Sequence, residues 1–123
     1  MLKPSFIGTV LLLMLAGCSS SDPAQVIEQY LQARITSDVD QLRELACTAW
    51  ESQVMLEANS FQGREAVLEG ATCTTGGTDD AYTIVQCQGK IVVTYQGEQT
   101  EFPLGNYRTI QEDGVWKMCG EAG

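Results

Sequence analysis

The spacing of apolar residues changes once along this chain, and the change falls at the stretch Phe61-Gln62-Gly63-Arg64-Glu65. Upstream the spacing is helical; downstream it alternates. A chain patterned in this way is satisfied by helices segregated to one face of an antiparallel sheet. In the upstream half, Val26, Ile27, Tyr30, Leu31 and Ile35 define one buried helix face. Asp22 is placed to cap that helix, Pro23 suits its first position, and Gln25 gives a capping-box-like spacing. Thr36-Ser37-Asp38 interrupts the pattern, and Asp38 is a second cap with Gln41 following it. Val39, Leu42, Leu45, Ala46, Ala49 and Trp50 resume the apolar stripe. It runs on through Val54, Met55 and Ala58 towards Phe61, as one bent helix or two.

Downstream, Val67 to Thr75 is a predicted strand, and Gly76-Gly77-Thr78-Asp79-Asp80-Ala81 reads as a turn. Tyr82 to Tyr95 is a long strand rich in β-branched residues, with Gly89 as a bulge. Thr100 to Ile110 is a strand whose Pro103 marks an edge or a bulge. Glu112-Asp113-Gly114 is a hairpin signal, because Asp-Gly tolerates the positive φ of a tight turn. Val115 to Gly120 is the last strand. The expected fold class is α+β, two or three N-terminal helices packed on a four-stranded antiparallel meander.

The first residues read differently. Lys3 precedes an apolar run, Phe6 to Leu15, of about ten residues. That is too short to span a bilayer, which takes ~20 apolar residues, and it fits the apolar region of a secretory signal peptide. The run ends Leu15-Ala16-Gly17-Cys18, which resembles the lipobox of bacterial lipoproteins at all four of its positions. The resemblance implies a signal peptide over residues 1–17, cleavage before Cys18, and a diacylglyceryl group on the Cys18 thiol. Residues 18–23 then form the lipidated cysteine and a short polar tether, and residues 24–123 a single domain. Acyl chains contribute ~0.8 kcal/mol per buried methylene, and two or more anchor a protein stably. The expected location is the outer face of a bacterial membrane, either the cell membrane or the outer membrane.

Charge and cysteine content limit the function of the remainder. Lys3 is the one charge ahead of Cys18, so six Lys or Arg face sixteen Asp or Glu after it, a net charge of −10. Such a surface is repelled by nucleic acid and by anionic headgroups. The chain has no histidine, which removes the commonest general base and the commonest transition-metal ligand. Cys47, Cys73, Cys87 and Cys119 are an even set in a small exported domain and read as two disulfides, for which three connectivities exist. No Cys-x-x-Cys pair supports zinc, and neither a metal nor a cofactor is expected. A hairpin centred near residue 80 sets Cys73 opposite Cys87. A one-residue slip of that register instead favours Cys47–Cys73 with Cys87–Cys119.

Tyr30-Leu31, Ser37-Asp38, Leu42 with Leu45, and Asp113-Gly114, Trp116-Lys117 and Cys119 together resemble the small lipoproteins of the nuclear-transport-factor-like (cystatin-like) superfamily. The resemblance covers nearly all of the chain after Cys18 and rests on packing and turn residues. It implies helices seated in the concave side of a curved sheet, forming a cone whose mouth binds small ligands in some members. It also places the last strand under the helices, which pairs Cys47 with Cys119 and leaves Cys73–Cys87 as the second bond.

Enzymes of that superfamily carry an Asp, His or Tyr inside the cone. Here histidine is absent and no Tyr and Asp pair matches the isomerase pattern, so Tyr30, Tyr95 and Tyr107 read as amphipathic core residues with wet hydroxyls. Asp79-Asp80 and Glu112-Asp113 read as polar hairpin loops. Tyr30, Trp50, Phe61, Tyr107 and Trp116 are the candidate pocket-lining residues, with core packing as their ordinary role. Two functions follow as expectations. One is a lipid-anchored, non-enzymatic binding or interaction module whose partners are the membrane and a small apolar ligand or envelope protein. The other is an isomerase- or cyclase-like enzyme acting on an apolar ligand in the cone. A deep pocket with an unpaired buried carboxylate favours the second; a filled cone favours the first.

Overall fold

The computed structural model describes residues 22–123. The expected signal peptide, the expected lipid site at Cys18 and the expected tether up to residue 21 lie outside the described residues. Asp22 accepts from Ala24 N at 2.8 Å and starts helix α1, Pro23–Ile35. Ser37, at φ 56°, breaks the chain direction. Asp38 then accepts from Gln41 N at 3.1 Å and starts helix α2, Val39–Leu45. A 3-10 helix, Thr48–Gln53, leads directly into helix α3, Val54–Ala58. Both expected caps form, and the stripe beyond Leu45 resolves into two short elements.

The change of helix type rotates that stripe. With three residues per turn in the 3-10 segment, Ala49 and Met55 turn outward while Val54 and Ala58 stay buried. Ala46 and Cys47, expected on a helix, are instead extended. Ala46 forms an isolated parallel bridge with Met118, and Cys47 N donates to Met118 O at 2.8 Å.

Five strands follow: β1 (Glu65–Asp79), β2 (Tyr82–Tyr95), β3 (Glu98–Pro103), β4 (Asn106–Glu112) and β5 (Val115–Ala122). The sheet order is β1-β2-β4-β5, with β3 also pairing β2. The single strand expected over Thr100–Ile110 is divided at Leu104-Gly105 into β3 and β4, which pair with successive parts of β2. Leu104 N donates to Gly89 O at 2.9 Å and Cys87 N to Gly105 O at 3.0 Å, so the break keeps its contact with β2.

The expected Gly-rich turn is also revised. Gly76 and Gly77 lie inside β1, where the register shifts by one residue, and the chain reverses through Asp80-Ala81. A second shift in β1 falls between Glu69 and Thr72, opposite Gly89. There Gly70 has φ 61° and Gly89 φ 102°. A Cβ at Gly89 would stand 2.6 Å from the carbonyl oxygens of Glu69 and Gly70, so only glycine fits. A bulge bends its strand and raises the local twist. The bulge at Gly70, the positive φ of Gly89 and the break at Leu104-Gly105 lie level across neighbouring strands, which bends the sheet along one line. Tight turns close the other hairpins, with positive φ at Gln96 and Gly97 and at Asp113 and Gly114.

The main core joins α1, α2 and α3 to the sheet through Val26, Ile27, Leu31, Leu42, Val85 and Met118. A smaller cluster of Phe61, Ile91 and Val93 fills the far end, and Leu104 packs against both. Cys73 is paired with Cys87 (Cα–Cα 4.1 Å) across β1 and β2, and Cys47 with Cys119 (Cα–Cα 5.2 Å) between the end of α2 and β5. Disulfides persist in oxidising, extracytoplasmic compartments, which is where a domain stapled in this way belongs. Among the described residues, no helix is long and apolar enough to cross a membrane.

The bonds close loops of 14 and 72 residues. In the chain-entropy account these contribute about 3 and about 4 kcal/mol respectively. Replacing Cys47 and Cys119 with serine is therefore expected to cost more stability in urea denaturation than replacing Cys73 and Cys87. The opposite order contradicts the assignment of the longer loop as the principal staple.

Candidate functional site

Inside the cone, one carboxylate gathers three helices. Glu57 Oε1, on α3, accepts from the Tyr30 hydroxyl of α1 at 2.7 Å and from Trp50 Nε1 of the 3-10 helix at 2.7 Å. Trp50 Nε1 also lies 3.2 Å from the Tyr30 hydroxyl oxygen. Glu57 Oε2 forms an ion pair with Arg34 Nε of α1 at 3.2 Å, the two side chains being 12% and 22% exposed. That contact is electrostatic, because the buried Nε has no aligned hydrogen bond. Burial, reinforced by the bond to Glu57, pushes the Tyr30 hydroxyl well above the ordinary tyrosine range. Gly120, at φ 115°, lets the Trp50 ring lie against β5; a Cβ there would meet Trp50 Cζ3 at 3.3 Å.

Beside this cluster is an open cleft of about 440 Å³. Its size is in the range of small-molecule sites. Arg34 of α1 and Phe61 and Arg64 of the segment after α3 form one side. Ile91 and Phe102, paired on one arm of the bent sheet, and Leu104 at the bend form the other, with Tyr107 and Glu121 of the second arm also lining the cleft. The Arg34 guanidinium lies 5.3 Å from the Phe61 ring centroid, and the Phe61 and Phe102 rings stand 6.2 Å apart. Burial raises the Tyr107 pKa above its usual value, with Gly105 pulling the other way.

Of the five aromatic residues expected to line a pocket, Phe61 and Tyr107 do so. Tyr30 and Trp50 are drawn into the Glu57 cluster instead, and Trp116 packs at the edge of the main core. The expectation of wet tyrosine hydroxyls is corrected for Tyr30, whose hydroxyl bonds Glu57. The expectation of a core position is corrected for Tyr95, which is 52% exposed with Arg64 over its ring. Asp80 and Asp113 are turn residues at positive φ, and Glu112 accepts from Thr48 N at 3.1 Å. No group of three or more acidic or cysteine side chains among the described residues is disposed to hold a metal.

The residues that reading the sequence missed are Glu57 and Arg34. Glu57 follows Leu56, which is 70% exposed, so it resembles one more charge on a solvent face. The available signal was its spacing from Trp50: seven residues apart, the two fall on one side of a helical segment.

Comparison with solved structures decides the fold. A SEC-C motif containing protein from Rhodopseudomonas palustris superposes with a TM-score of 0.57 at 13% identity, over 85% of this chain and 81% of that one. An NTF2-like protein with a cystatin-like fold from Novosphingobium aromaticivorans gives 0.55 at 14% identity, over 80% and 76%. The fold is cystatin-like. At these identities the likeness extends to the fold alone, and no family model and no curated protein matches the sequence. In this cystatin-like domain the cone interior is the Glu57 cluster, and its open part is the Arg34–Phe61–Phe102 cleft.

The Tyr30 shift has a sign that can be checked. A tyrosine whose pKa is raised by folding stabilises the native state fully below the unfolded value, about 10, and less as pH rises beyond it. Urea denaturation between about pH 9 and about pH 11 should therefore show falling stability. Tyr30→Phe should flatten part of that fall. An unchanged pH dependence in the variant contradicts burial of the protonated hydroxyl.

Proposed function

We propose that this chain is a lipid-anchored lipoprotein of the bacterial cell envelope and that its domain is a binding module rather than an enzyme. Anchoring is supported by Leu15-Ala16-Gly17-Cys18 behind the apolar leader, together with the two disulfides of an exported domain. The tether from Cys18 reaches the start of α1 within a few residues, so the cone is held close to the membrane surface.

The observation that carries the choice of binding over catalysis is the state of Glu57. Proton abstraction needs a carboxylate within hydrogen-bond reach of a substrate. Both oxygens of this one are engaged by Tyr30, Trp50 and Arg34. A ligand in the cleft meets the Arg34 guanidinium and the apolar wall, with the carboxylate behind the arginine. The isomerase-like alternative requires an unpaired buried carboxylate, and Glu57 is paired.

Two experiments test the two halves. Intact mass spectrometry of the exported protein should show a diacylglyceryl adduct and loss of residues 1–17, and Cys18→Ala should accumulate as uncut precursor. A Cys18→Ala chain that is cut at the same bond and released in normal yield would overturn the anchor. Saturable turnover of any small substrate, abolished by Glu57→Gln in a folded protein, would overturn the binding reading.

A further inference from the structure

The cleft has a charge pattern that the rest of the surface lacks. Among the described residues the basic side chains are Arg34, Arg43, Arg64, Lys90, Arg108 and Lys117. Four of them do not line the cleft, and each has a partner. Arg43 faces Asp40 at 3.9 Å, Lys90 pairs with Glu101 at 2.7 Å, and Arg108 faces Asp79 at 3.8 Å and donates to Glu121 O at 3.1 Å. Lys117 donates to Glu44 O. The two that line the cleft are the exceptions. Arg64 lies over the Tyr95 ring and pairs with no carboxylate among the described residues, and Arg34 faces Glu57 through Nε.

Where the described residues carry sixteen acidic side chains, two arginines left with donors to spare in one cleft require a reason. Arg34 is the better placed of the two. Its Nε is buried against Glu57 and its guanidinium lies 5.3 Å from the Phe61 ring centroid, which holds the group at the cleft wall. Neither terminal nitrogen has a hydrogen bond within the described residues, and the side chain lines the cleft. A guanidinium whose terminal nitrogens are free of hydrogen bonds to the described residues can bind a carboxylate in bidentate fashion. Phe61, Ile91, Leu104 and Phe102 form an apolar stretch of the wall, the last still 45% exposed, and Ser60, Tyr107 and Glu121 supply its polar part. A second depression of about 200 Å³ shares Arg64 and Phe102 and prolongs the groove over Val93.

We propose that the Arg34–Arg64 cleft binds a small amphiphilic monocarboxylate, its head on the two arginines and its apolar body laid along Phe61, Phe102 and Ile91. This rests on reading the domain as a binding module. Glu57 offsets one of the two arginine charges and Glu121 also lines the cleft, so the remaining positive charge suits a single carboxylate and not a dianion. An acyl chain and an aryl-alkyl acid share this chemistry, and the groove admits either in principle.

Equilibrium dialysis of the exported chain in lipid nanodiscs, with empty nanodiscs as the blank, tests it using octanoate and 4-phenylbutyrate against their neutral amides. Each acid is expected to bind at least about tenfold more tightly than its amide, the scale of one charge-assisted contact. Arg64→Gln should weaken acid binding several-fold, and Arg34→Lys should do so while keeping a charge opposite Glu57. Arg43→Gln, outside the cleft, should leave it unchanged. The tighter of the two acids identifies the acyl or the aromatic body. Amides that bind as well as acids, or an Arg64→Gln protein with unaltered binding, overturn the carboxylate assignment and leave the cleft as an apolar site. If none of the four probes binds, both the ligand class and the small-molecule reading of the cleft fall.

Discussion

The Glu57 carboxylate is the contact on which the arrangement of the helices depends. α2 and α3 are each too short to hold together as isolated helices, since fewer than ~12–15 residues are marginal in water. Their positions are set by packing and by this group, which accepts from Tyr30 and Trp50 and faces Arg34. A half-buried carboxylate is stable there because donors and a cation replace the water it loses. Removing the carboxylate would leave an indole N–H, a phenol and a guanidinium together without their acceptor. The same group therefore fixes the helices and aims Arg34, linking the fold to the cleft through a single side chain.

The second constraint lies in the sheet. Gly70, Gly89 and the Leu104-Gly105 break lie level across neighbouring strands and bend it, and the cleft is lined from both sides of that bend. Disulfides hold the two ends of this arrangement. Cys73–Cys87 locks the register of β1 against β2 next to the bulge, and Cys47–Cys119 ties the end of α2 to β5. A small domain with a limited core gains most from staples of this kind.

Much of this was legible in the sequence where the controlling interaction is local. Asp22 and Asp38 announce their helices because a cap needs only the next turn. Asp113-Gly114 announces its hairpin because positive φ is a property of those two residues. Cys73 opposite Cys87 follows from counting back from a turn near residue 80. Gly76-Gly77 misled, because the glycine pair that permits a turn also permits a bulge, and pairing across to β2 selects the bulge. Glu57 was legible only through its spacing from Trp50. Its partners lie 27, 23 and 7 residues away, and only the packing of α1 beside α3 brings them together. Likewise, Tyr30 and Trp50 were expected at the pocket wall for their rings, whereas their polar atoms decided where they went.

Whether Glu57 is the hub can be measured directly by a double-mutant cycle in urea with Tyr30→Phe, Glu57→Ala and the combination. Residues that share one buried network couple by about 0.5–3 kcal/mol, whereas independent sites add to within about 0.5 kcal/mol. The account predicts coupling above about 1 kcal/mol, with the double variant losing less than the sum of the singles. Strict additivity would contradict it and would return Glu57 to the role of an ordinary surface charge.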